Sequence, residues 1–143
     1  MKSLLLLLTA LMLTGCTGFR GNWKKSLEAG SQGIEGPWAG TWKSESTGHT
    51  DKLRCIVTKT SGNNYSARFH AKYHRILSFS YTVSLRTTNQ PGSDRFDFDG
   101  DANLGKLAGG KYTYKGHATP TNFYSTYDSK YDHGTFEMSR PKE

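Results

Sequence analysis

The chain has 143 residues, room for one domain behind a leader and too few for two ordinary cores. Nineteen Lys and Arg against twelve Asp and Glu give a formal charge of +7. The cations (Lys24, Lys25, Arg54, Lys72, Arg86, Lys115) are scattered, which suits attraction to anionic lipid or polysaccharide and lacks the basic stripe of a nucleic-acid binder. Sixteen glycines, eight tyrosines and seven phenylalanines point to strands and tight turns rather than helices.

Met1-Lys2-Ser3 is a short positive start, residues 4–13 are apolar except for Thr9, and Leu13-Thr14-Gly15-Cys16 follows. At 1.5 Å per residue the run cannot span a hydrocarbon core about 30 Å thick, but it fits the apolar region of a secretory signal. The Leu-Thr-Gly-Cys stretch resembles the bacterial lipobox. That resemblance implies that residues 1–15 are removed and that Cys16 receives a diacylglyceryl group, with further acylation at the new amino terminus. Two or three acyl chains, at about 0.8 kcal/mol per buried methylene, anchor firmly. The expected partner is thus a membrane of the cell envelope. Thr17 stands where an inner-membrane retention aspartate would stand, so the outer membrane is expected if the host is Gram-negative.

With Cys16 committed to lipid, Cys55 has no intramolecular disulfide partner. Its phase with Leu53 and Val57 reads as a small buried residue rather than a reactive thiol. Residues 16–36, with their recurrent glycines and poor apolar periodicity, read as the lipidated cysteine and a flexible tether, with a short helix over 23–29. Pro37 opens the domain, 37–143.

From Trp38 onward the period becomes two. Tyr65, Ala67, Phe69, Ala71 and Tyr73 alternate with Ser66, Arg68, His70 and Lys72. Leu77, Phe79, Tyr81, Val83 and Leu85 alternate in the same way with serine, threonine and arginine. This is the pattern of strands with one wet face. The predicted strands are 38–46, 52–60, 65–73, 77–86, 95–99, 111–117, 122–127 and 134–140, separated by Gly-, Asn- and Pro-rich turns. Short links make neighbours antiparallel, and eight such strands close as an up-and-down barrel or fold over as a sandwich. An internal echo favours the barrel: Phe96-x-Phe98-x-Gly100-x-Ala102 returns as Tyr112-x-Tyr114-x-Gly116-x-Ala118. An in-phase glycine late in a strand suits a bend or a ring laid over it.

Gly40-Thr41-Trp42 in the first strand, with Arg140 ending the last, resembles the signature of calycin barrels: lipocalins, fatty-acid-binding proteins and avidins. The resemblance implies an all-β, single antiparallel barrel in which Trp42 closes one end and Arg140 packs over it. The length suits a short barrel of the avidin kind.

Asp97, Asp99 and Asp101 alternate as calcium ligands do, but Ala108 stands where an EF-hand loop needs its glutamate. Strand alternation places Asp97 and Asp99 outward, with Asp101 and Asn103 in the next turn. His70 and His74 have a spacing that unites metal ligands on a helix, not on a strand. No metal or other cofactor is expected. Gly-x-Ser-x-Gly is absent, and the chain reads as a binding protein rather than an enzyme.

The inward phase carries Trp42, Tyr65, Phe69, Tyr73, Phe79, Tyr81, Phe96, Phe98, Tyr112, Tyr114 and Phe136. These rings are either a packed core, making a structural or interaction module, or in part the lining of a site for one small apolar or amphipathic ligand. On the second reading the lining residues are Trp42, Tyr65, Phe69, Tyr81, Tyr112 and Tyr114, whose hydroxyl tips would meet the polar part of the ligand. Cys16→Ser is expected to abolish acylation; metabolic labelling with a fatty-acid analogue checks it, and undiminished label in the variant would end the lipoprotein reading.

Overall fold

Eight strands follow one another around a closed sheet in chain order: β1 (Gly36–Ser44), β2 (Thr50–Ser61), β3 (Asn64–Tyr73), β4 (Leu77–Asn89), β5 (Phe96–Asn103), β6 (Lys111–Ala118), β7 (Asn122–Ser129) and β8 (His133–Ser139). The computed structural model describes residues 18–142, so the leader and Cys16 lie outside the described residues. Every neighbouring pair is antiparallel, and β1 meets β8 from Ala39↔Ser139 to Ser44↔Gly134. The barrel, not the sandwich, is the outcome of the alternation. It puts Leu53, Cys55, Val57, Ala67, Phe69, Val83 and Leu85 inside, all nearly inaccessible. Cys55 is a free buried cysteine whose thiol burial pushes well above its ordinary pKa.

β5 is longer than its predicted five residues and takes in Asp101 and Asn103, which were expected in a turn. Gly100 does not end the strand, because it faces inward between Leu85 of β4 and Tyr114 of β6. A Cβ there would lie 2.6 Å from the Ser84 carbonyl oxygen. The echo has a geometric meaning: on the β5–β6 ladder Phe98 stands opposite Gly116, and Tyr114 opposite Gly100. What crowds each glycine is its other neighbouring strand: Ser84, Leu85 and Val83 of β4 at Gly100, and the Tyr124–Ser125 backbone of β7 at Gly116. Gly40, Gly116 and Gly134 are tighter still, since a Cβ would overlap the carbonyl oxygens of Glu137, Tyr124 and Lys43 respectively. These are the bends that let the sheet close.

The segment expected as a flexible tether is largely helical over 18–29, here α1, and it packs against the outside of the barrel. Phe19 and Trp23, one helical turn apart, are both buried. Phe19 stacks on His70, ring centroids 4.6 Å apart, and the Arg68 guanidinium lies 5.6 Å from the Phe19 ring. Arg54 covers Trp23 at 5.1 Å. The outward polar residues of β2 and β3 thus serve as a cationic platform for two aromatic rings.

Arg140 packs on a tryptophan, but the partner is Trp38 rather than Trp42. Its guanidinium carbon lies 3.7 Å from the Trp38 ring centroid. Its nitrogens donate to Pro120 O (2.9 Å), Pro37 O (3.1 Å) and Gly33 O (2.8 Å). Trp38 is fully buried and donates from Nε1 to Ile34 O at 3.0 Å. The register explains the choice. Arg140 directly follows Ser139, which pairs with Ala39, whereas Trp42 pairs with Phe136 about 13 Å further along the strand. The spacing Gly-x-Trp occurs twice in β1, and Gly36-Pro37-Trp38 is the copy beside the arginine. Trp38→Ala is therefore expected to cost about 3–5 kcal/mol and Arg140→Lys about 1–2 kcal/mol. In urea unfolding, Trp38→Phe and Arg140→Lys should be non-additive, while Trp42→Phe and Arg140→Lys should simply add.

Candidate functional site

In an up-and-down barrel alternate hairpins lie at the same end. The links β2–β3, β4–β5 and β6–β7 share an end with Arg140 and with the chain's entry at Ile34, and there Trp38 and Phe123 plug the interior. The links β1–β2, β3–β4, β5–β6 and β7–β8 surround the other end, which is open. It holds a cup of about 350 Å³. The floor is Phe136, Tyr114 and Ala71. The walls are Trp42, Tyr73, Phe79, Tyr81, Tyr112 and Tyr127, and Leu104, Leu107 and Ala108 of the β5–β6 link reach over the rim.

Of the residues predicted to meet a ligand, Trp42, Tyr81, Tyr112 and Tyr114 come together in this cup. Phe69 does not line it: it is buried beneath the floor, 5.4 Å from Tyr81 and 5.2 Å from Phe136 by ring centroid. Tyr65 lies at the plugged end, edge-on to Phe96. Alternation identifies which side chains point inward but not their height in the barrel. Height follows from the register, so the six residues were divided between cup, core and plug.

Three more rings of the inward set, Tyr73, Phe79 and Phe136, line the cup without having been predicted to meet a ligand. Tyr127 was outside that set, although it shares the inward phase of β7 with Phe123 and Ser125. The rim over Leu104 and Leu107 contains the short 3-10 turn Lys106–Ala108, flanked by Gly105, Gly109 and Gly110, all at positive φ. Such a link carries no alternation to read.

Polar tips converge on one side. Tyr127 donates to Asp132 Oδ2 at 2.9 Å, and the other carboxylate oxygen accepts from Ser44 Oγ (2.7 Å) and the His133 amide (2.9 Å). Burial is the main cause that pushes the phenols of Tyr81, Tyr114 and Tyr127 above their ordinary pKa; the Asp132 carboxylate adds to it at Tyr127. The result is an apolar cup with neutral hydroxyls and one fixed carboxylate, suited to hold an apolar body and orient a polar group.

Beside the rim, Trp42 donates to Lys72 O at 2.9 Å, stacks with Tyr73 and meets His49 at a tilt, while His74 lies against both His49 and Tyr73. Among the described residues no three His, Cys, Asp or Glu side chains are grouped to hold a metal ion. On β5, Asp97 is paired with Arg95 (2.9 Å), and Asp99 and Asp101 face Arg86 at 2.8 and 4.0 Å.

These features define an eight-stranded antiparallel up-and-down barrel with one plugged and one open end. Among solved structures the chain is similar to a redesigned β-barrel, with a TM-score of 0.57 and 17% identity over 77% of this chain and 93% of that one. The likeness is one of fold. No family model and no curated protein matches the sequence.

The buried phenols make stability depend on alkaline pH. Their pKa values are raised in the folded chain, so their contribution is complete below the ordinary phenol value of about 10 and is lost as pH rises through the folded values. The urea midpoint is expected to fall between about pH 9 and about pH 11, and Tyr81→Phe should shrink that fall.

Proposed function

We propose that this is an envelope lipoprotein, anchored through Cys16, whose barrel binds one small apolar or amphipathic molecule in the cup without catalysing a reaction. The cup itself carries the reading. Its volume falls in the range of small-molecule sites, its walls are mostly rings, and its few polar groups are held in place by hydrogen bonds. The interior below is filled, so a ligand enters from the open end only and reaches no further than Tyr114 and Phe136.

The outward residues support a protein that lies at a membrane and does not span one. A spanning barrel turns an apolar band outward, whereas here Arg54, Arg68, Lys72, Asp97 and Asp99 face outward and the apolar residues face inward. The Arg140–Trp38 stack and the Gly-x-Trp spacing at Gly36 support a calycin-like relationship. A second reading, an interaction module with a solid core, draws on the filled lower half of the barrel and on the exposed rim residues Leu107 and Tyr131.

Ala71 is a floor residue with room above it, so Ala71→Leu should fill the cup and leave the plug intact. With a fluorescent fatty-acid probe, the native chain is expected to bind at one site per barrel and Ala71→Leu at least about tenfold more weakly. Equal binding by both, with an unchanged near-UV spectrum, would place the probe elsewhere and favour the interaction module.

A further inference from the structure

On the outer wall, between Phe19 and Arg20 of α1 and the β3–β4 hairpin, lies a groove of about 440 Å³. Five cationic side chains line it: Arg20, Lys52, Arg54, Lys72 and Arg75. Among the described residues it has no carboxylate in its lining. Asp51 lines the adjoining groove and accepts the backbone amides of Lys52 and Arg75. The carboxylates of β5 lie on another part of the wall, paired with Arg86 and Arg95. The groove is thus a concentrated positive site on a chain whose cations looked scattered in sequence.

Two further features lie at the same end. The β3–β4 hairpin carries Ile76 and Leu77 into solvent, 88% and 63% exposed, and both border the groove. The rim of the cup adds Leu107, fully exposed, and Tyr131 at 70%. The open mouth lies between these projections. Gly18, two positions after Cys16 in sequence, belongs to the helix whose Phe19 and Arg20 help to form the groove.

We infer that the open end of the barrel is a docking surface for an anionic phospholipid bilayer. The groove takes headgroup phosphates, the tips Ile76, Leu77 and Leu107 enter the interface, and the cup opens toward the lipid. A basic patch bordered by protruding aliphatic side chains is complementary to such a surface in both charge and polarity. It is poorly matched to a soluble polyanion, which has no use for the tips. The orientation rests on the envelope reading above, and it makes the cup's ligand a molecule that partitions into membranes. Each cation brought to an anionic leaflet is worth about fivefold in partitioning, and the tips add to it.

The detergent-purified full-length chain, reconstituted with vesicles of equal phosphatidylglycerol and phosphatidylcholine or of phosphatidylcholine alone, tests this. Flotation is combined with labelling by an impermeant amine reagent, read peptide by peptide. On the anionic vesicles Lys52 and Lys72 should be labelled about tenfold less than on neutral ones, and protection should fade in about 1 M salt. Lys59 and Lys115, away from the groove, should be labelled alike on both. Ile76→Asp with Leu107→Asp should remove most of the protection, and Lys115→Glu none. If the chain floats with both vesicles but Lys52 and Lys72 react equally, the anchor stands and the docking surface is wrong. If it floats only with anionic vesicles and the two lysines are protected, the docking surface stands and the anchor is wrong. If heparin protects them as well as vesicles do and the tip variants change nothing, the groove serves a polysaccharide and the bilayer proposal falls.

Discussion

Closure of the sheet depends on places where two backbones come nearer than a Cβ permits. At Gly40 and Gly134 these contacts lie on the β1–β8 seam itself, against the carbonyl oxygens of Glu137 and Lys43, and Gly116 makes the same approach between β6 and β7. A small barrel must bend each strand sharply, and a bent strand carries its inward residue toward the neighbouring chain. Any side chain at these positions would push the strands apart and open the ladder. With the ladder shut no edge strand is left exposed, and the interior is confined to what eight strands can enclose.

That confined interior is used differently at its two ends. At one end Trp38 fills the bore, and Arg140 holds the entering segment, the β6–β7 turn and the end of β8 together through three carbonyl oxygens. A cation stacked on a buried indole is fixed in direction by those bonds, so stacking and hydrogen bonding reinforce each other. At the other end the rings stand around a space. Tyr127 and Ser44 are satisfied by Asp132, which removes the cost of leaving their hydroxyls unpaired near an apolar cavity. Packing is complete where the chain must be held and incomplete where a molecule can be received.

The period-two alternation of Tyr65–Tyr73 and Leu77–Leu85 made the strands legible, and the turn residues between runs gave their number and order. Cys55 was legible for the same reason, being in phase with Leu53 and Val57. Height in the barrel was not legible, because it depends on which residue stands opposite which. Trp42 therefore took the place of Trp38 beside Arg140, and Tyr65 was grouped with residues at the other end of the bore. α1 was only partly visible. Its signal is the four-residue spacing of Phe19, Trp23 and Leu27, short and set among glycines, and its docking surface consists of arginines and a histidine that alternation assigns to solvent. The basic groove was illegible for a similar reason, since its cations come from α1, β2, β3 and a hairpin and become neighbours only when the sheet curves.

The order of the strands also sets a timetable. Seven of the eight ladders join consecutive strands, so each can form as soon as its hairpin has been made. The eighth joins β1 to β8, separated by nearly the whole domain, and its clasp is Arg140. A chain delivered amino terminus first will hold an open, twisted sheet with β1 unpaired along one margin until residues 134–140 arrive. During that interval Trp38 lacks its Arg140 cover and the β1 margin is free to pair with another chain. The last few residues therefore decide when the molecule stops being vulnerable to its own copies, a kinetic role that their small share of the core would not suggest.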